Sequence, residues 1–450
     1  MRNGEMRESL SAFHRSVFQW LMKEPVLFRR QDTLDHDQAL YWKDLLYRTL
    51  KVGVELEFAP PKGMHTAKLM SLLEDALHPS HEMDRLGRYG ILDVISEHCG
   101  FEIQIIGRQP YYAALIEQYR QIVNLLPEGI RVRPTCGLHY HVLTVGLAEP
   151  VPEIILANVW NLTRRYAPNL KFLTSGGDQM NALCRRRNHN SHLEMVRLSP
   201  GAMSMRELQQ KLGQSRIVPE HQNFLNLEHL QFDEDGAVTN FHLEFRFPDA
   251  DLSPISIAVK NFLFLAILLK AVEMSQYGVI HVGRIRKWKR QVELLDMLSN
   301  NDGKLATSDT SRITPEVIDE LRSGSRELLE LLKPTFDRFE HNPSYEILSL
   351  LAETPLSLLR VSGRSWGEIE SLLIERAVTP ANDLDGTDQK LMRCIEFSEL
   401  TGYTAVDAWK WHTARELFLT PQELDRRLDK LENLRGIRWD IQLGTVVFAR

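Results

Sequence analysis

Three short segments each set two ionisable side chains two residues apart. "VGVELEF" (52–58) carries Glu55 and Glu57, and "TCGLHYHVLTV" (135–145) carries His139 and His141. "NFHLEFRFPDADLSP" (240–254) carries Glu244 and Arg246, with His242 just before them. On an extended chain, residues two apart share a face. Each pair therefore points one way while Val54, Leu56, Phe58 and their counterparts point the other. "GFEIQII" (100–106) adds Glu102 between Phe101 and Ile103. Singly, each segment has a structural explanation: a half-exposed strand, solvent-facing histidines, or a cross-strand salt bridge. Together they bring four carboxylates into one region, and burying those without cations is prohibitive, because like charges resist joint ionisation. A divalent metal resolves the conflict. Carboxylate oxygens suit Mg²⁺, and an imidazole among them admits Mn²⁺. Arginines beside such a site suit phosphate oxygens. The sequence has no GxxxxGK(S/T) loop, so phosphates would be held by metal and arginine.

The elements that position these residues follow from periodicity. Up to about Lys51, apolar and charged residues alternate at helical spacing, which predicts a helical N-terminal extension over 1–50. From Val52, strands ("VGVELEF", "GFEIQII", "IRVRPTCGLHYHVLTV", "FLNLEHLQF", "FHLEFRF") are interleaved with helices ("HTAKLMSLLEDAL", "YYAALIEQYRQIVNLL"). Clean apolar–polar alternation predicts an antiparallel sheet with one face on a core, within an α+β domain spanning 51–283. Beyond His281 the spacing is helical, with capping boxes at Ser365/Glu368 and Thr420/Glu423. That predicts a mostly helical domain over 284–450, closed by a strand pair in "IRWDIQLGTVVFAR". The boundary is expected in the basic stretch "GRIRKWKR" (283–290), itself read as a solvated helix face.

The net charge of −6 and pI near 6.3 give no bulk attraction to nucleic acid or to an acidic membrane, so neither is expected as a partner. The four cysteines (Cys99, Cys136, Cys184, Cys394) are far apart and have no metal-type spacing, so they read as reduced thiols. The first thirty residues carry charge throughout and lack the apolar core of a signal peptide. "ISIAVKNFLFLAILLKAV" (255–272) is interrupted by Lys260, Asn261 and Lys270, which predicts a buried helix rather than a membrane span. The expectation is a soluble cytoplasmic protein.

"GVELEF", "GLHYHV" and "LEFRFPDADLSP", in that order, resemble the glutamine synthetase and glutamate–cysteine ligase superfamily of carboxylate–amine ligases, and within it the amidoligase family. Further family segments are matched by Glu102 in "GFEIQII", by Arg187 and Asn188 (with Arg186 as a rival register) in "LCRRRNHN", and by Asn226 in "FLNLEHL". The resemblance covers about Val52 to Val272. His221–Gln222 departs from the basic–aromatic pair that precedes this last segment, and Asp93 is the candidate for an aspartate before Glu102. The resemblance implies a curved antiparallel sheet, flanked by helices, that binds ATP with Mg²⁺ or Mn²⁺. It implies activation of a carboxylate as an acyl phosphate, which an amine then attacks. In its terms Glu55, Glu57, Glu102, His139 and Glu244 are metal ligands. His141, Asn226 and Arg246 contact the nucleotide, and Arg246 with Arg187 or Arg186 neutralises the transferring phosphoryl group. The substrates would be small-molecule or peptide carboxylates and amines, with the C-terminal helices available to a protein partner.

Other readings stay open on the sequence. One is an ATP-dependent phosphotransferase of the guanidino-kinase type. Another is a zinc hydrolase built on HxH, disfavoured because HxH follows an ExE strand and barrel periodicity is missing. The last is an inactive ligase fold serving as a scaffold.

Overall fold

The computed structural model describes residues 27–28, 33–77, 90–97, 99–108, 110–133, 136–144, 147, 149–176, 204–214, 224–280, 285–300, 313–339 and 342–377, and in the C-terminal part 387–388, 391, 394, 410–411, 413–415, 417–435, 437–440 and 445–448. The strands in chain order are β1 (Leu27–Phe28), β2 (Leu50–Phe58), β3 (Ile91–Glu97), β4 (Gly100–Arg108), β5 (Leu138–Thr144), β6 (Leu225–Asn226), β7 (Gln231–Phe232), β8 (Val238–Asn240), β9 (His242–Phe245), β10 (Val279–Ile280), β11 (Ile437–Asp440) and β12 (Thr445–Phe448). Six of them form one antiparallel sheet in the order β3-β4-β2-β5-β9-β6. The expected α+β class with an antiparallel sheet and flanking helices is the one observed.

Alternation sets the two faces. Val54, Leu56 and Phe58 of β2, Leu138, Tyr140 and Val142 of β5, and Leu243 and Phe245 of β9 are all buried on one side. Their backing is the helix Pro254–Met274, every residue of which is buried. Tyr140 Oη donates to Ile257 O at 3.1 Å, and Phe245 stacks on Phe264 with ring centroids 4.3 Å apart. Each such side chain contributes roughly 1.5–3 kcal/mol by leaving water. The helix is long and apolar enough to cross a membrane, but being apolar all round is also what a central core helix requires. Helices His36–Thr49, Glu153–Arg165, Pro315–Phe336, Ser344–Glu353 and Trp366–Ala377 pack around it.

Two local devices fix the sheet where the site lies. The β3–β4 hairpin closes at Gly100, whose φ of 149° suits glycine; a Cβ there would collide with the Phe58 carbonyl. The chain leaving β9 is tied down by two buried ion pairs. Lys171 Nζ bonds Asp249 Oδ1 at 2.5 Å and Phe247 O at 2.8 Å, and Lys260 Nζ bonds Asp251 Oδ2 at 2.5 Å. The aspartates of "FPDAD" thus hold the strand end against the helices.

The chain divides into two compact units, 1–110 with 119–377, and 111–118 with 378–450. The first unit continues through the basic stretch at 283–290. The helix Ile285–Asn300 packs on Ala167–Leu173, and Leu294 and Leu298 join Phe172, Ile313, Val317 and Leu321 in one cluster. Arg290 sits on the exposed face of that helix and pairs with Glu293 and Glu320. The second unit contains Pro421–Arg435, whose Leu424, Leu428 and Leu431 pack with Leu391 and Ala414, and the antiparallel pair β11–β12. The Ser365/Glu368 box and the Thr420 cap on Glu423 both form. "SAFHRSVFQWLM" lies outside the described residues, as does Cys184; Cys99, Cys136 and Cys394 are not joined to one another by a disulfide.

Candidate functional site

The face of the sheet opposite the core helix carries the ionisable residues, and the strand register brings them together. Glu57 stands opposite Glu102 across β2–β4, and Glu55 opposite His139 across β2–β5. His141 stands opposite Glu244 across β5–β9, and Glu244 opposite Asn226 across β9–β6. Five strands therefore contribute to one patch. Each contact is between directly paired residues, the closest side-chain neighbours a sheet allows.

His139, 1% exposed, is the hub. Its Nδ1 lies 2.6 Å from Glu55 Oε2 and 3.4 Å from Glu244 Oε1, and its Nε2 lies 3.1 Å from Glu57 Oε1. Glu57 is braced from behind, since its Oε2 accepts from Gly137 N at 2.6 Å and from the Cys99 thiol at 4.0 Å. Glu244 is held on three sides. Asn226 Nδ2 donates to its Oε2 at 2.7 Å, Arg246 Nη1 donates to its Oε1, and His229 Nε2 lies 3.6 Å from Oε2. Asn226 Oδ1 accepts from Glu228 N, so this amide is engaged at both ends in positioning Glu244. Glu102 accepts from Gln104 Nε2 at 2.9 Å.

Electrostatics separates Glu102 from Glu55 and Glu244. Burial, then the charge of Glu55, pushes Glu102 up to about 7. Burial also pushes Glu55 up, but its contacts with His139 and His141 outweigh that and hold it well below the usual carboxylate range. Glu244 behaves alike: burial opposes ionisation, and His229, His139 and Arg246 more than offset it. Burial, followed by the neighbouring His141 and His229, lowers His242 to about 4. The contact with Glu244 raises His229 against the opposing effect of burial.

The donor set fits divalent metal. Two groups have ligand atoms all within 4.8 Å of one another: Glu55, Glu102 and His139, and Glu55, His141 and Glu244. Glu55 belongs to both. His141 Nε2 supports the fit, being buried with no hydrogen-bond partner among the described residues and only 3.3 Å from Glu55 Oε1. Glu57 faces the same cluster, its Oε1 3.1 Å from His139 Nε2 while Gly137 and Cys99 hold its Oε2.

Of the residues singled out from sequence, Glu55, Glu57, Glu102, His139, His141, Asn226, Glu244 and Arg246 are brought together. Arg186, Arg187, Asn188, His221 and Gln222 lie outside the described residues. Asp93 lies on the edge strand β3, exposed, in register with Gln104, which pairs in turn with Glu55, and its Oδ1 accepts from Val94 N. The sequence reading missed His229. "FLNLEHLQF" reads as one strand, but the Asn226 side chain caps Glu228 N, and the Leu230 N–H bonds Leu227 O, turning the chain between β6 and β7. An Asn three residues before the histidine was the available signal, since Asn favours such turns.

No family model matches the chain, and no curated protein matches it. Among solved structures, the crystal structure of the complex between prokaryotic ubiquitin-like protein Pup and its ligase PafA aligns with 87% of this chain and 85% of that chain. The identity is 12% and the TM-score 0.33, a likeness too slight to carry a functional argument.

Proposed function

We propose that the protein is an ATP- and divalent-metal-dependent carboxylate–amine ligase working through an acyl phosphate. The observation that carries this reading is the convergence of four carboxylates, two histidines and one arginine on one face of the sheet. The order and spacing of the three paired motifs, which resemble those of the amidoligases, support it independently. Glu55, Glu102, His139 and Glu244 hold Mg²⁺ or Mn²⁺, with Glu57 fixing His139 and completing the negative field. A bound divalent cation supplies Lewis acidity and neutralises phosphate charge. Arg246, part-buried and oriented by Glu244, offers the guanidinium that a phosphoryl group requires as charge moves onto its oxygens. Arg186 or Arg187 adds a second cation. The carboxylate and amine are small molecules or peptides, and the C-terminal helices offer a surface for a protein acceptor.

The test is product mass. Purified protein is incubated with ATP, Mg²⁺ or Mn²⁺, and pooled amino acids, peptides and amines. A product equal to carboxylate plus amine less water, formed in step with ADP, is expected. A product heavier than its acceptor by one phosphoryl group would replace ligation with phosphoryl transfer to nitrogen. No nucleotide turnover and no nucleotide binding would defeat both.

A further inference from the structure

The six-stranded sheet has two unlike edges. At one end β6 is two residues long, and the chain turns away directly after it. At the other end the seven-residue β3 pairs with β4 on one side and, among the described residues, with no strand on the other. Exposed edges are usually blunted by shortness, proline, lysine or a bulge. β3 has no proline and no basic residue. Its one irregularity falls between Ile91 and Asp93, which leaves 93–97 in regular register with β4. The Val94 N–H is directed to the Asp93 carboxylate, with Oδ1 2.8 Å away, so a side chain closes this donor.

This end of the sheet also keeps apolar side chains in water. Leu92 is 46% exposed, and Asp93, Ser96 and Glu97 are exposed beside it. Ile106 of β4, whose N–H bonds Gly90 O, is 39% exposed. Leu72, on the helix Thr66–Ala76 that packs on β3, is 43% exposed. Exposed apolar residues scattered singly need no explanation, but these three belong to one hairpin and its helix.

The edge is continuous with the carboxylate face. Asp93, Gln104, Glu55 and His139 are successive register partners from β3 through β4 and β2 to β5, and Ile95 is the partner of Glu102. A chain laid along β3 would prolong these rows, about 4.8 Å beyond Ile95. Asp93 and Glu97 share a face with Ile95 and make the edge acidic.

We propose that β3 is a docking edge for an extended peptide, which pairs with it as a seventh strand. The peptide carries basic side chains on the face shared with Asp93 and Glu97 and apolar ones on the other. Backbone pairing supplies the affinity, and the alternating side chains supply the selectivity. This surface goes beyond the ligase reading and does not depend on it.

The experiment is fluorescence anisotropy of the full chain with a labelled peptide of about seven residues that alternates lysine and valine. Two comparators are a glutamate–valine peptide and the fully N-methylated lysine–valine peptide, which keeps the side chains but has no N–H to donate. The lysine–valine peptide should bind, and both comparators should bind about tenfold or more weakly. Val94→Pro removes an edge N–H at a position where a sheet tolerates proline, and should also weaken binding about tenfold with an unchanged circular dichroism spectrum. Asp93→Asn with Glu97→Gln should weaken binding at low salt and have little effect at high salt. No binding of the lysine–valine peptide, or equal binding of either comparator, would overturn the proposal. A dimer that Val94→Pro abolishes would give the edge to a second copy of the chain and overturn it as well. If Val94→Pro does not fold, the N-methylated peptide against wild type decides. Nucleotide and metal binding test the ligase reading separately, and none of these outcomes alters it.

Discussion

Glu55 and His139 face each other across the β2–β5 ladder, with Glu55 Oε2 2.6 Å from His139 Nδ1. This pair is the junction of the site, because Glu55 is the carboxylate common to both candidate metal groups. Glu55→Gln should therefore remove divalent binding at both groups, whereas Glu102→Gln should spare the one containing His141 and Glu244. In turnover, Glu55→Gln should cost on the order of 10²-fold or more. Counting bound Mn²⁺ in the two variants checks the asymmetry; equal loss in both would contradict it.

Glu102 provides a pH signature. Burial and the Glu55 charge raise its pKa from the usual value near 4.5 to about 7 in the fold. The folded chain thus holds this proton more tightly than the unfolded chain. The resulting stabilisation is full below about pH 4.5 and is lost as pH rises through about 7. Cation binding runs the other way, since it needs the carboxylate. In wild type, divalent affinity should rise as pH passes through about 7, with proton release on binding below that pH. Calorimetry in buffers of different ionisation heat measures this, and Glu102→Gln should flatten the profile.

Asn226 touches Glu244, not solvent, and its effect should be on that carboxylate. Asn226→Ala removes a 2.7 Å hydrogen bond to a buried charged group, at a cost of about 1.5–3 kcal/mol. Denaturant melts and Mn²⁺ affinity should fall together. Unchanged cation affinity in a destabilised variant would confine Asn226 to a packing role.

The aspartates after Arg246 lie close to the site in sequence but are tied to the core. Lys171→Met strands the buried Asp249 carboxylate and should cost about 3–5 kcal/mol. Lys171→Met with Asp249→Leu should recover much of that, and the recovered protein should bind divalent metal as wild type does. Loss of metal binding in the double variant would make Asp249 part of the site.

Much of this site was legible because strand geometry converts spacing into direction. ExE, HxH and ExR each declare one face, and the apolar residues between them declare the opposite face as core. The helices after His281 declared themselves through capping boxes at Ser365 and Thr420. What was not legible depends on partners distant in sequence. Nothing local marks Lys171 as the buried counterion of Asp249, 78 residues on, or Gly137 and Cys99 as the brace behind Glu57. His229 was hidden because a side-chain cap from Asn226 interrupts what reads as continuous strand.

The central claim is that this carboxylate-rich face binds ATP through metal, and the most direct measurement is ATP binding and ADP release in the presence and absence of Mg²⁺ or Mn²⁺, compared across wild type, Glu55→Gln and Glu244→Gln. The account predicts nucleotide binding that requires the cation, turnover that rises with pooled carboxylates and amines, and loss of turnover in both variants. Nucleotide binding or turnover that is indifferent to the cation and to both substitutions would contradict it.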